Sequence, residues 1–193
     1  MCSDYRLRVE LVGVEQALQQ AGLAATFSEG RPNIEPRDDI RITDRAPILR
    51  TAGKALELVQ RGWSWPGPGG KPVYNYRSDG REFPSGRCLI LADGFYEFTA
   101  PDDPKAKRKH KWLFKLAGAE LFGIAGLWRA VPEIGEAFTM LTLPPGPDIA
   151  PFHNRQIAAL PPEHWSRWLD PAVPARDLLQ PLAAGSLTVE QVA

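Results

Sequence analysis

The sequence predicts a β-rich α+β fold, and we expect a mixed or antiparallel, barrel-like sheet core with a few short peripheral helices. Nineteen prolines and seventeen glycines divide the 193 residues into short segments, which favours strands and loops over a helical bundle. The hydrophobic fraction of 44% and the charged fraction of 24% are those of an ordinary globular protein. This length can supply one substantial core, so we predict a single domain over residues 1–193.

The elements follow from local patterns, taken in chain order. Apolar residues at helical spacing predict a helix over residues 14–21. Further helices are expected at 161–169, which begins with prolines, and at 176–182. Strands are predicted over residues 46–49, 55–63, 87–99, 112–116, 121–129 and 137–143, with a turn or bulge at Asp93-Gly94. We expect loops over residues 28–45, with one edge strand, and over 63–72 and 105–111.

Composition excludes several classes of protein. No apolar run is long enough to span a membrane, and two cysteines cannot form a secreted disulfide framework. We therefore expect a cytoplasmic protein in which Cys88 is a core residue. No two Cys or His residues stand at ligand spacing and no phosphate-binding glycine loop is present, so neither a metal nor a cofactor is predicted. Formal net charge is zero, so any nucleic-acid binding must come from a local patch.

The most informative residue is Cys2. Methionine before a small residue is commonly removed, and the chain would then begin with a thiol and a free α-amine in one residue. Their reference pKa values are about 8.5 and about 7.7–8.0, so both are nucleophiles near neutral pH. An aldehyde can form a Schiff base with the amine and then a thiazolidine ring with the sulfur. The alternative is a plain residue at a disordered terminus.

Three further polar positions are candidates for chemistry. In an extended run Asn75 and Arg77 share a face and could hold a phosphodiester, although Arg77 could equally be a loop arginine in a surface salt bridge. Glu97 lies between aromatics, either on an exposed face or desolvated as a general acid. His153 is the histidine best placed for proton transfer. A satisfied buried histidine is the alternative.

Aromatic and basic residues interleave at Trp63, Trp65, Tyr74, Tyr76, Arg77 and Arg81. Such an arrangement could stack unpaired bases while following a backbone, as single-strand binders do. The alternative is that these aromatic rings belong to the core.

The chain resembles the SRAP family (SOS response-associated peptidase), whose members process abasic sites in single-stranded DNA, through motifs in a fixed order. These are MC at the start, NYRSD (75–79), RCLILADGFYEF (87–98), AGLW (125–128), FTMLT (138–142) and HNR (153–155). The resemblance implies an abasic-site sensor that crosslinks to DNA after autocatalytic removal of Met1. It also implies a monomer without cofactor or metal, associated with the nucleoid when bound to DNA.

Residue roles follow from the same resemblance. Cys2 is similar to the residue that forms the thiazolidine, Glu97 to the glutamate that shuttles protons and releases Met1, and His153 to the histidine that assists ring opening and reversal. Asn75 would hold the reacting sugar and the terminus.

DNA contacts are likewise implied by the resemblance. Arg77 would grip phosphate, and Thr142 and Arg155 would also contact DNA.

The chain departs from the family pattern at three places. Ser3 and Asp4 replace the usual Gly-Arg, Gln156-Ile157 replaces Met-Pro, and Phe98 stands where tryptophan is common. Asp4 puts an anion where a phosphate-contacting cation is usual. Two other functions remain open: a cysteine peptidase or amidohydrolase acting through Cys2 and His153, and a non-catalytic single-strand binding module.

Overall fold

The computed structural model describes residues 2–103, 105 and 107–193, which form mainly β-strands. In this part of the chain the strands are β1 Asp4–Leu7, β2 Ala25–Thr26, β3 Arg37–Arg41, β4 Arg45–Ala52, β5 Ala55–Trp63, β6 Trp65–Pro66, β7 Pro72–Val73, β8 Asn75–Arg77, β9 Arg87–Ala92, β10 Gly94–Thr99, β11 His110–Leu116, β12 Phe122–Val131, β13 Gly135–Leu143, β14 Gln156–Ile157, β15 Ala159–Leu160 and β16 Leu187–Gln191. The helices are α1 Leu11–Gln20 and α2 Trp165–Leu169, with 3-10 turns at Pro68–Gly70, Pro162–His164 and Ala175–Asp177. The predicted β-rich α+β fold is confirmed.

Five of these strands close into a barrel. β5, β4, β9, β12 and β13 pair in that order and antiparallel, and a parallel pairing of β13 with β5 completes the ring. All six residues of β9 are buried, as expected of a strand with both faces covered. Cys88 is fully buried among them, which confirms its prediction as a core residue.

A second sheet holds the first strand between two others. Its order is β16-β11-β10-β1-β3, so β1 lies between β10 and β3. β9 of the barrel and β10 of this sheet are consecutive in sequence, and the chain changes sheet at Asp93, the predicted break. Gly94 is needed just beyond it, because a Cβ there would lie 2.7 Å from Leu113 Cδ1.

Most predicted elements are present. The first helix is α1, the helix at 161–169 is a 3-10 turn followed by α2, and all six strand predictions overlap strands. The edge strand expected in residues 28–45 is β3. The loop at 63–72 holds a small hairpin of β6 and β7. The loop prediction for 105–111 was wrong at His110 and Lys111, which begin β11, and it includes Ala106, which lies outside the described residues.

The predicted helix at 176–182 was wrong. Only the single 3-10 turn Ala175–Asp177 forms there, because Pro181 lacks an amide hydrogen and disfavours helical backbone in the residue before it. Strands β1 and β16 were missed, since short strands at the chain ends carry little alternation. None of the described helices has the length and apolarity required to cross a membrane.

Gly126 allows close packing inside the barrel, and we expect Gly126→Ala to destabilise the fold. A Cβ at this position in β12 would lie 2.6 Å from Ile90 Cδ1 and 2.9 Å from the backbone oxygen of Thr139. The free energy of unfolding, measured by chemical denaturation, should fall by about 1–3 kcal/mol.

The matched control is Gly62→Ala in β5, where an added Cβ meets nothing within 4 Å. Its effect should stay within about 0.5 kcal/mol. Equal effects of the two substitutions would contradict the packing argument.

Candidate functional site

Cys2 lies immediately before β1 and is only 1% exposed. Antiparallel pairing of Tyr5 with Phe95 and of Arg6 with Gly94 places β1 along β10. The Cys2 thiol donates to the backbone oxygen of Asp4 at 3.2 Å. Desolvation, and then the negative charge of Glu97, raise the pKa of Cys2 well above its ordinary value. In this state the sulfur is therefore a neutral thiol at neutral pH.

Asn75 holds Cys2 by its backbone. It starts β8, which pairs in parallel with β13 so that Asn75 lies opposite Met140. Its Nδ2 donates to the carbonyl oxygen of Cys2 at 2.7 Å. The amide oxygen Oδ1 is buried and accepts no hydrogen bond from any described residue. One end of the side chain thus orients Cys2, and the other presents an acceptor.

Glu97 lies on β10 and is 1% exposed, which selects the desolvated alternative for this residue. Burial raises its pKa to about 7, and the positive charge of the amino terminus opposes the rise. A carboxyl with such a pKa can donate or accept a proton near neutral pH. The effect of its charge on the Cys2 thiol shows that the two groups share one low-dielectric region.

His153 lies in the segment between β13 and β14. Its Nδ1 is 3.0 Å from both the backbone nitrogen and the backbone oxygen of Arg155. A ring protonated on Nε2 alone accepts from that nitrogen, whereas a ring protonated on Nδ1 donates to that oxygen, so Nδ1 is held in either case. Burial, followed by the charge of the amino terminus, lowers the pKa of His153. This shift favours the neutral ring near neutral pH.

Arg155 supports the His153 segment. Its guanidinium forms a two-pronged pair with Asp79 at 2.9 and 2.6 Å and donates to the backbone oxygen of Thr142 at 2.9 Å. Thr142 is 1% exposed. The structure thus joins Arg155 and Thr142, both predicted to contact DNA, in one cluster whose Asp79 carboxylate is 45% exposed. Arg77, two residues after Asn75 on β8, is exposed.

Of the four aromatic residues predicted to stack on bases, two are buried and two are half-buried. Trp63 is fully buried, donates through Nε1 to Tyr74 and stacks on Phe138. Trp65 is 6% exposed, with the Arg129 guanidinium 4.3 Å from its ring. Both belong to apolar packing, and a covered ring cannot stack on a base. Tyr74 and Tyr76 are half-buried, so their prediction stands.

Asp4 is not a free surface anion. It is 5% exposed, and one carboxylate oxygen accepts from Lys111 Nζ at 2.8 Å. Lys111 also donates to Asp39 at 2.5 Å and lies 3.7 Å from the centre of the Tyr96 ring. Burial is the main cause that raises the pKa of Asp4 to about 6. Nothing in the sequence distinguished Lys111 from its lysine-rich surroundings.

Met1 lies outside the described residues, so its predicted removal stays a prediction. Among the residues that are described, no group of three or more His, Cys, Asp or Glu side chains is placed to hold a metal ion.

Comparisons with solved structures agree on the fold. A protein from Bordetella bronchiseptica superposes with a TM-score of 0.70 and 23% identity over the whole of both chains. A protein from Bacteroides thetaiotaomicron gives a TM-score of 0.76 with 15% identity, covering 100% of this chain and 92% of that one. Identities this low show a common fold alone.

Sequence relatives are more specific. The chain is 34% identical over 116 residues to the abasic site processing protein YoqW of Bacillus subtilis (strain 168), covering 56% of this chain and 50% of YoqW. It is also 34% identical over 102 residues to the abasic site processing protein YobE of that organism, covering 51% of this chain and 45% of YobE. The chain thus spans about half the length of these curated relatives. The family model described as SOS response associated peptidase (SRAP) matches residues 1–193, and the chain belongs to this family.

Proposed function

We propose that the protein binds abasic sites in single-stranded DNA and captures the aldehyde of the opened sugar as a thiazolidine on Cys2. The observation that carries this proposal is the hydrogen bond from Asn75 to the Cys2 carbonyl, beside a buried carboxyl whose pKa is about 7. The names of YoqW and YobE, abasic site processing proteins, support the same substrate.

The reaction begins once Met1 is removed. The α-amine of Cys2 adds to the aldehyde carbon, and a proton moves from nitrogen to the new hydroxyl. Glu97, in its protonated form, donates a proton to that hydroxyl, which leaves as water, and the nitrogen then returns its proton to the Glu97 carboxylate, which gives the imine. The Cys2 sulfur then bonds to the imine carbon while the thiol proton passes to nitrogen. The balance is one aldehyde plus one aminothiol giving one thiazolidine and one water.

Burial suits this order of events. With the pKa of the thiol raised, the amine rather than the sulfur is the first nucleophile. Holding both in one oriented residue makes ring closure a local step, an advantage that can reach several kcal/mol. Asn75 fixes the carbonyl of that residue, and its buried Oδ1 offers an acceptor to the amine or a sugar hydroxyl. His153 presents Nε2 for opening the sugar ring.

Removal of Met1 fits the same groups. Hydrolysis of the Met1–Cys2 peptide bond needs a base to take a proton from water and an acid to protonate the leaving amine. A carboxyl titrating near pH 7 can do both in turn. We therefore propose that Glu97 also serves self-processing.

A cysteine peptidase acting on other proteins is less well supported. Such enzymes need a thiolate stabilised by a neighbouring cation, whereas burial and the charge of Glu97 favour the thiol form of Cys2. In addition, Nδ1 of His153 forms its hydrogen bond with the backbone of Arg155 and not with the sulfur.

The first test is adduct formation with single-stranded DNA containing one abasic site. Met1-trimmed protein, confirmed by intact mass, should give an adduct that resists denaturation without reduction. Its mass should equal protein plus DNA minus one water. Undamaged DNA should give none, and absence of the adduct from trimmed protein would refute the proposal.

Two cysteine variants make the test specific. Cys2→Ser keeps the amine but loses the sulfur, so it should yield a denaturation-resistant adduct only after borohydride reduction of the imine. Cys88→Ala is the matched control, because Cys88 is fully buried in the barrel and should leave the adduct unchanged. An unreduced adduct from Cys2→Ser would place the covalent bond elsewhere.

Glu97→Gln should slow the formation of the adduct. It should also stabilise the fold at alkaline pH. Burial raises the pKa of Glu97 from 4.5 to about 7, so between these values the folded chain binds a proton that the unfolded chain has released. The wild-type free energy of unfolding therefore falls as pH rises through this window, by about 1.4 kcal/mol per pKa unit. A neutral glutamine is not subject to this loss.

Chemical denaturation of both proteins checks this prediction. At about pH 4 they should be equally stable, and at about pH 8 the variant should be more stable by roughly 1–3 kcal/mol. Glu163→Gln is the control, because Glu163 is exposed and its replacement should have no such pH dependence. Equal stability of Glu97→Gln and wild type at alkaline pH would contradict the buried-carboxyl argument.

A further inference from the structure

Lys111 is a charged residue that the proposed reaction does not use. It lies on β11 opposite Phe98 of β10, and its side chain is 19% exposed. Its ammonium donates to Asp4 at 2.8 Å and to Asp39 at 2.5 Å, and it lies 3.7 Å from the centre of the Tyr96 ring. The side chain therefore crosses β10 and joins β11 to β1 and β3.

Two of these partners also hold the Cys2 sulfur through their backbones. The thiol donates to the backbone oxygen of Asp4 at 3.2 Å, and the backbone of Tyr96 forms a hydrogen bond with the same sulfur. Lys111 contacts the side chains of these same two residues. One ammonium therefore stabilises both backbone segments that contact the reactive thiol.

The amino-terminal end of β1 needs such support. In the described part of the chain, β1 pairs with β10 at Tyr5 and Arg6, and the Asp93 carboxylate accepts hydrogen bonds from Arg6 and from the Arg8 backbone nitrogen. These contacts all lie on the carboxyl-terminal side of Asp4. Because chain ends fray unless they are tied down, an ion pair at Asp4 restricts the residues before it.

The ion pair is buried, so its loss would be felt locally. It lies in the wall of a cleft of about 720 Å³, yet Asp4 is only 5% exposed. Removing one partner of a buried pair leaves the other charge without compensation, which is strongly destabilising. Without the ammonium, Asp4 would take up a proton or turn toward water, and its backbone would no longer be fixed beside the thiol.

We propose that Lys111 is a positioning residue for Cys2. It holds Asp4 and Tyr96 in place, and these two residues keep the sulfur ordered beside the carboxyl that transfers protons. The consequence for catalysis rests on the proposed function, whereas the order of the sulfur can be measured without DNA or an aldehyde.

The first test measures how fast iodoacetamide, a small neutral reagent, alkylates each cysteine of the folded protein, with the site identified by peptide mass spectrometry. Lys111→Met keeps a long side chain but removes its charge. Alkylation of Cys2 should become faster on the order of tenfold, because local opening of the terminus no longer has to break a buried ion pair. An unchanged rate at Cys2 would overturn the proposal.

Two comparisons separate positioning from general stability. Arg61→Met is the matched control, because Arg61 is a buried cation that pairs with Glu29 and Glu136, on the loop before β3 and on β13. It should lower the free energy of unfolding and leave the rate at Cys2 unchanged.

The second comparison uses Cys88, which is fully buried in the barrel and should react only when the whole fold opens. Cys2 should remain much faster than Cys88 in Lys111→Met. Equal rates at the two cysteines, or an equal acceleration of Cys2 by Arg61→Met, would show a merely structural role and overturn the proposal.

The route through Asp4 is tested by a double variant. Asp4→Asn removes the carboxylate that Lys111 holds. Adding Lys111→Met to this variant should therefore accelerate alkylation of Cys2 less than Lys111→Met does in wild type. Equal accelerations in the two backgrounds would overturn the assignment to Asp4.

The catalytic consequence is measured as single-turnover adduct formation on abasic single-stranded DNA at increasing DNA concentrations. Lys111→Met should lower the maximal rate on the order of tenfold, because a mobile aminothiol is less often aligned with the aldehyde. A change in the half-saturating concentration alone would mean that Lys111 only attracts the strand, and would overturn the positioning role. If wild type forms no adduct, the proposed function fails, and alkylation still decides whether Lys111 orders Cys2.

Discussion

The site depends on the buried carboxylate of Asp93, because this group anchors the amino-terminal segment. It is 7% exposed and accepts from Arg6 Nε and from the Arg8 backbone nitrogen, each at 2.5 Å. Its own backbone nitrogen donates to the Arg6 oxygen at 3.0 Å. Chain termini are otherwise among the least ordered parts of a domain. Charge-assisted bonds of this kind turn a terminus into a fixed strand.

The position of this anchor matters as much as its strength. Asp93 is the residue at which the chain leaves β9 in the barrel and enters β10. Glu97 follows on β10, and β1 pairs with that strand at Tyr5 and Arg6. The end of β9 in the barrel therefore determines where β10 begins, and with it the positions of Glu97 and of the strand that follows Cys2. A reaction at a terminal amine requires a placement that a frayed end cannot supply.

Burial has opposite effects on stability and chemistry at this site. Cys2 and Glu97 are each 1% exposed, and the same desolvation raises the pKa of both. For the fold, a buried carboxyl is unfavourable once it is ionised. For proton transfer, the raised pKa of Glu97 is favourable, because the carboxyl then titrates near neutral pH. Ionisation of Glu97 therefore lowers the stability of the fold, whereas its raised pKa provides the proton donor that the proposed chemistry needs. Functional sites often show this opposition.

The strands of the barrel could be predicted from sequence because their apolar runs are local signals. β9, β12 and β13 were recognised in this way, and Asp93-Gly94 identified the junction. Closure could not be predicted, since the parallel pairing of β13 with β5 joins segments far apart in the chain. No local pattern reports which distant strand will be a neighbour.

The same distinction between local patterns and distant contacts applies to the residues of the candidate site. Cys2, Asn75, Glu97 and His153 were recognised from motifs, and the structure supplies their burial and contacts. The aromatic residues were harder, because Trp63 in the core and a ring on a binding surface have the same composition signal. Lys111 was missed, since its partners Asp4 and Asp39 come from β1 and β3.

The ion pair between Asp4 and Lys111 also determines the effect of the negative charge at position 4. Asp4 lies two residues from Cys2, and its negative charge would repel the phosphates of the proposed DNA ligand if it were exposed and unpaired. Asp4 instead lies 2.8 Å from Lys111 Nζ and has a pKa near 6, so its charge is compensated by a cation or removed by a proton. Three exposed cations, Arg41, Arg108 and Lys109, line the same cleft as Asp4, so the charge that faces solvent there is positive. The local arrangement of charges thus makes this face positive, although the formal net charge of the chain is zero.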